Sequence, residues 1–218
     1  MLRTHFVESL YRLSTRPSSF APEPRSEFSR KLYFFNILLT QKTPLMATTT
    51  TTANTFNAQS PAVQKMLSRF RNPWLMRLFF LQRLPTLTLW GARIEEIEPE
   101  RAVVSLPYGW RSQNPFKSIY FAAQLGAAEL STGVLAMLTI AGRGRISMLV
   151  TNIESSFTKK ADARTYFECT DGPAIQEAVQ RAIDTGEGQT ITVTSVGRLA
   201  SGEEVSRARI TWSFKSKV

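Results

Sequence analysis

Histidine is almost missing from this chain. Its one imidazole, His5, stands far from any segment with ordered-looking periodicity. A Ser-His-Asp or Cys-His arrangement needs an imidazole beside its nucleophile. Zinc sites are mostly built from clusters of His and Cys. Residues 46–218 can assemble neither, so no metal and no cofactor is expected, and any chemistry must rest on carboxylates, hydroxyls, amides or backbone donors. Cysteine is equally scarce: Cys169 is the only one and forms no internal disulfide. That argues for a reducing, cytoplasmic compartment, with Cys169 packed as a small apolar residue. Dense runs of Lys and Arg are also lacking. The chain carries a net charge of +10, but its basic residues are scattered. A basic surface suits anions such as phosphorylated substrates, and without a basic block no nucleic-acid partner is expected.

The 218 residues, 43% of them hydrophobic, suffice for one domain with a sizeable core plus an extension. Residues 1–59 read as that extension, disordered or wrongly joined to the chain. "RLSTRPSSFAPEPRSEFSR" is rich in Ser, Pro and Arg and has no apolar periodicity. "KLYFFNILL" is too short to span a membrane. An organellar transit peptide, a secretory signal, or a true start at Met46 compete here. We favour the last, because "MATTTTTAN" reads as an ordinary polar beginning.

The domain proper is expected over residues 60–218, opening with two helices across 60–85. Ser60 and Asn72 are caps, each followed by a proline suited to the first helical turn. The second helix, "NPWLMRLFFLQRLP", is amphipathic and basic. It either packs on the domain or touches an anionic membrane surface. A turn is expected over Glu95–Glu100, then a strand in "RAVVSLPY". A long helix follows from the Asn114 region to Gly142, then strands in "ISMLVTNIESSFT" and "ARTYFECT". In the first of these, Ile153, Ser155 and Phe157 share a face. "GPAIQEAVQRAIDTGEG" is a helix. "QTITVTSVGRL" and the strictly alternating "SRARITWSFK" are strands.

Between Ser118 and Gly142 the only charged residue is Glu129. A helix apolar nearly all round must be buried. A membrane span would place Glu129 near mid-bilayer, at a cost of about 2.5–3.5 kcal/mol. A curled antiparallel sheet wrapped around the helix buries it without that cost, so the fold class is α+β. Ala122, Gly126, Glu129, Gly133 and Ala136 form one stripe on the helix. Every neighbour of the acid on it is small, which leaves a groove open to a backbone or a ligand. Either close packing against the sheet or a working carboxylate accounts for that groove. A carboxylate in an apolar groove has a raised pKa and serves as base or nucleophile.

The segment "NPFKSIYFA" is similar to the hotdog-fold thioesterase motif Asn-Pro-Phe-Gly-(any)-(apolar)-His-Gly-Gly, with an Asp or Glu nine residues after the His. Glu129 lies nine residues after Tyr120. The resemblance covers Leu87 to Val218 and is nearest to thioesterase-like domains related to the phenylacetate-pathway and 4-hydroxybenzoyl-CoA enzymes. Here Lys117 replaces a glycine, Tyr120 the histidine, and Phe121-Ala122 the Gly-Gly pair.

The resemblance implies a hotdog fold and hydrolysis of an acyl-CoA or acyl-carrier thioester. Glu129 would activate water or attack the thioester carbon, and Asn114 would position the carbonyl or the water. The N–H groups of Phe121 and Ala122 would polarise the carbonyl. Tyr120 would donate a hydrogen bond or line the tunnel. Thr132 would hold a water or bond back to its own helix. Lys159, Lys160, Arg143 and Arg145 would meet CoA phosphates. A homodimer or tetramer is implied, because such sites usually form between helices of two subunits. A non-catalytic acyl-CoA binder is the alternative, and a purely structural dimer the third.

Overall fold

Ser60 opens helix α1 (Pro61–Phe70), its hydroxyl accepting from the Val63 N–H at 3.4 Å. Asn72 opens α2 (Pro73–Arg83), accepting from the N–H groups of Trp74 and Leu75. The computed structural model describes residues 55–217; the expectations for the extension over 1–54 lie outside the described residues. Both caps satisfy helix N–H groups that have no partner within the helix. Helix α1 buries Val63, Leu67 and Phe70, and α2 buries Met76 and Phe80. A third helix, α3 (Pro85–Trp90), follows directly. Pro85 presets its first turn, and Gly91, in the left-handed region at φ +80°, ends it.

Strands β1 (Arg93–Ile97) and β2 (Ala102–Leu106) form an antiparallel hairpin. The turn is tighter than the sequence suggests, because Glu95 to Ile97 belong to β1: Glu96 and Ile97 pair with β2, and Glu95 is bulged between Ile94 and Glu96. The Glu98 N–H closes it by donating to the Arg101 carbonyl at 2.8 Å. Helix α4 (Phe121–Ile140) begins seven residues later than Asn114. The delay has a local cause. The Asn114 side chain accepts from the Phe116 N–H at 2.9 Å, folding the chain into a turn, and Lys117 adopts φ +57°. A side chain in the left-handed region breaks helical continuation.

Beyond α4 come β3 (Ile146–Phe157), β4 (Thr165–Cys169), α5 (Gly172–Thr185), β5 (Gln189–Leu199) and β6 (Glu204–Ser216). The six strands are antiparallel in the order β1-β2-β4-β5-β6-β3. Although β3 and β4 are consecutive in the chain, they are not neighbours: β3 crosses to the far edge and pairs with β6. Helix α4 touches every one of the six strands, so the sheet curls around it. It is long and apolar enough to cross a bilayer, and the sheet and α5 bury it instead.

The alternation in β6 holds. Ala208, Ile210, Trp212 and Phe214 are buried, whereas Arg207, Arg209 and Lys215 are exposed. Burying a large apolar side chain contributes about 1.5–3 kcal/mol, which makes β6 a large contributor to the core. Strand β3 shows no such contrast in its C-terminal half. Ile153 and Phe157 share the expected face but stay exposed, because β3 is an edge strand.

Candidate functional site

Glu129 sits in the middle of α4, half-buried, with Ala128 and Leu130 buried on either side. Among the described residues, no group hydrogen-bonds or ion-pairs with its carboxylate. Burial pushes its pKa above the usual carboxylate range, and no neighbouring cation opposes the shift. The space around it is set by Gly133: a Cβ there would lie 3.3 Å from Glu129 Oε1 and 3.5 Å from the Trp212 ring. The rest of the small-residue stripe is not an open groove. A Cβ on Gly126 would come within 3.0 Å of Trp90 and 3.2 Å of Leu87, so α3 packs over that glycine. Ala136 is fully buried.

Thr132, one turn beyond the acid, is buried and fully engaged. Its hydroxyl donates to the Glu129 carbonyl at 2.9 Å and accepts from Trp212 Nε1 at 2.9 Å. It therefore bonds back to its own helix and, through Trp212, to β6.

The start of α4 forms the second part of the site. The Ala123 and Gln124 N–H groups return to the Tyr120 carbonyl at 3.0 and 3.1 Å. The N–H groups of Phe121 and Ala122 have no protein acceptor among the described residues. As the first donors of a 20-residue helix they carry its positive end. Tyr120 and Phe121 are exposed, their rings edge-to-face at 4.7 Å, and Phe157 of β3 meets Phe121 at 6.5 Å.

A hollow beside this helix start is lined by Asn114, Gln124, Phe157, Lys159 and Lys160. Asn114 is largely committed to its own loop: Oδ1 accepts from the Phe116 and Ser118 N–H groups, and Nδ2 donates to Ser118 Oγ at 3.1 Å. Lys159 forms an ion pair with Glu203. Gln124 was not singled out from the sequence. It is 5% exposed and donates to the Ile119 carbonyl at 3.0 Å, leaving Oε1 buried without a partner. The available signal was a lone amide in an otherwise small and apolar first turn.

The structure does not gather all the proposed anion-binding residues. Arg143 and Arg145 follow the C-terminal end of α4, whereas Lys159 and Lys160 flank its N-terminal end. A helix of 20 residues is about 30 Å long, so within one chain the two pairs are separate. Arg143 is buried and donates to Gln180, and burial lowers its pKa. Arg145 is exposed. Glu129 does not line the hollow either. It lies eight residues along α4 from Phe121, about 12 Å along the axis.

A family model described as a domain of unknown function, DUF4442, matches residues 72–214. No curated protein sequence matches the chain. Several solved structures do. A Pseudomonas aeruginosa protein of unknown function, named a probable thioesterase, is 18% identical with a TM-score of 0.56; the match covers 67% of this chain and 97% of that one. A Chlorobaculum tepidum protein of unknown function is 12% identical, covering 66% and 97%, with a TM-score of 0.56. A Haemophilus influenzae thioesterase is 12% identical, covering 66% and 91%, with a TM-score of 0.51. With the curled sheet around α4, these likenesses establish the hotdog fold.

Proposed function

The chain belongs to the DUF4442 family, and from that premise we propose that it hydrolyses acyl thioesters, with CoA or an acyl carrier as the thiol. The observation that carries this reading is Glu129: a carboxylate with no protein partner, held in an apolar setting on the core helix. No structural role accounts for burying it, since it makes no bond that stabilises the fold. Its raised pKa makes it a stronger base than an exposed glutamate once ionised.

In the proposed reaction, Glu129 takes a proton from water as the oxygen attacks the thioester carbon. The Phe121 and Ala122 N–H groups hold the developing oxyanion. The carbon–sulfur bond then breaks, the proton passes from Glu129 to the departing sulfur, and the products are a carboxylic acid and a thiol. Lys160 and Lys159 face the hollow at the helix start, where a thiol's phosphate groups would be met.

One chain cannot complete this arrangement. The roughly 12 Å between Phe121 and Glu129 exceeds the hydrogen-bond reach needed around one carbonyl. A homodimer supplies the missing half by bringing the helix start of one copy to Glu129 of the other. Edge strand β3 is the proposed contact. It offers unpaired backbone along one side and exposes Leu149, Ile153 and Phe157. Such an edge invites pairing with another strand.

A non-catalytic acyl-thioester binder remains the second reading. The aromatic cluster of Tyr120, Phe121 and Phe157 at the helix start favours it, because Phe121 stands where the resemblance expects a glycine and Tyr120 where it expects the histidine. The experiment is to incubate the purified protein with short, long and aromatic acyl-CoAs and measure both free thiol and bound ligand. Thiol release above the uncatalysed rate supports hydrolysis. Saturable binding with no release supports the second reading and overturns the first.

A further inference from the structure

Helix α2 is apolar on two opposite sides. Met76 and Phe80 point into the core, 7% and 2% exposed. Trp74, Leu78 and Leu81, at spacings of four and three, lie along the other side with Leu75 beside them. These side chains are open to solvent: Trp74 is 76% exposed, Leu81 60%, Leu75 49% and Leu78 45%. The buried side explains why the helix docks on the domain. The outward row has no role within the fold, and a continuous row of large apolar side chains in water marks an interaction surface.

The stretch of chain that carries this row has charge of one sign. Residues 55–94 contain no Asp or Glu but include Lys65, Arg69, Arg71, Arg77, Arg83 and Arg93. Arg77 lies against the outward row itself, its guanidinium 5.6 Å from the centre of the Trp74 ring. A tryptophan beside leucines, with Arg77 on its ring and no acid on the surrounding stretch of chain, has the chemistry of a helix lying in a lipid headgroup layer. A protein partner would need an acidic rim around an apolar groove, whereas an anionic bilayer offers both as a continuous surface. We propose that the outward face of α2 seats the protein on anionic membrane surfaces, with Trp74, Leu75, Leu78 and Leu81 entering the headgroup region and the neighbouring cations held by lipid phosphates. An apolar acyl thioester in or near the bilayer would then meet the enzyme at its source, but the surface binds lipid whether or not the site is catalytic.

The test uses the full chain with phosphatidylcholine vesicles, with and without phosphatidylglycerol, in a sedimentation assay. The expected result is binding to the anionic vesicles at least about tenfold tighter than to neutral ones. It should weaken as salt screens the charges. Leu78→Glu with Leu81→Glu should weaken it by about tenfold or more. The separate variant Arg77→Glu should weaken binding to anionic vesicles and leave any residual binding to neutral ones unchanged. Because all three side chains are exposed, circular dichroism and solution mass should match the unmodified protein. The proposal is overturned if the full chain ignores anionic vesicles, as when another part of the chain covers α2. Equal binding to both vesicle types would also overturn it, as would binding indifferent to the variants. A fall in solution mass in the double variant would show instead that the face binds a second copy.

Discussion

Trp212 of β6 donates its indole N–H to the hydroxyl of Thr132 on α4 at 2.9 Å, and that hydroxyl donates to the carbonyl of Glu129. The sheet is thereby latched to the helix one turn past the acid. The same indole, with Gly133, walls the space that Glu129 occupies. The latch fixes where the carboxylate stands, and removing it should disturb both stability and position.

Thr132→Val tests the latch. The substitution keeps the shape but leaves the indole N–H buried without an acceptor. An unsatisfied buried donor costs about 1–3 kcal/mol. Urea unfolding should show a loss in that range, with little change in m-value.

Glu129→Gln should stabilise the protein above neutral pH. Burial raises the folded-state pKa of Glu129 above its unfolded value. The native protein then holds a proton that the unfolded chain releases. The wild type therefore loses stability as pH rises from the ordinary glutamate pKa through the raised one. The glutamine variant lacks this loss. Its melting temperature should exceed that of the wild type at pH 8, and the difference should shrink towards pH 4. Thermal melts across that range check it.

Lys117→Gly removes a conformational penalty. Lys117 sits at φ +57°, in the left-handed region, where the hotdog motif it resembles carries glycine. An ordinary side chain pays about 1–2 kcal/mol there. Part of the gain is returned as unfolded-chain entropy, so a net stabilisation of about 1 kcal/mol is expected by denaturant titration.

Cys169 should be chemically silent while the protein is folded. It is fully buried, and burial pushes its thiol pKa up to about 12. The thiolate is the reactive form. A maleimide or disulfide reagent should label the chain only in denaturant, and fast labelling of the native protein would contradict the packing described for β4.

Much of this architecture was legible from periodicity. The strict alternation of β6 fixes a buried side, and "GPAIQEAVQRAIDTGEG" is the helix expected, burying Ile175, Ala178 and Val179. Partner choice was not legible. Ile153, Ser155 and Phe157 of β3 read as sharing one face, but nothing in the sequence showed that the strand crosses to the sheet edge and leaves Ile153 and Phe157 in solvent. The start of α4 was misplaced because a side-chain turn at Asn114 and a left-handed Lys117 interrupt a run that looks continuously helical.

The candidate site was legible in part for the same reason. A lone acid in an apolar helix can be seen in one dimension, and Glu129 is where that helix places it. What fills the space beside Gly126 is supplied by Leu87 and Trp90 of α3, which the sequence did not reveal as a helix. The separation of Lys159 and Lys160 from Arg143 and Arg145 follows from the length of α4, once its two ends are known.

The most direct measurement is the pH profile of kcat/KM for acyl-CoA hydrolysis, wild type beside Glu129→Gln. The wild-type rate should rise with pH through a single ionisation above the ordinary glutamate range. The variant, folded and of the same solution mass as the wild type by light scattering, should lose at least about a hundredfold in rate and show no such rise. Equal rates in the two proteins, with or without that rise, would contradict the assignment of Glu129 as the base.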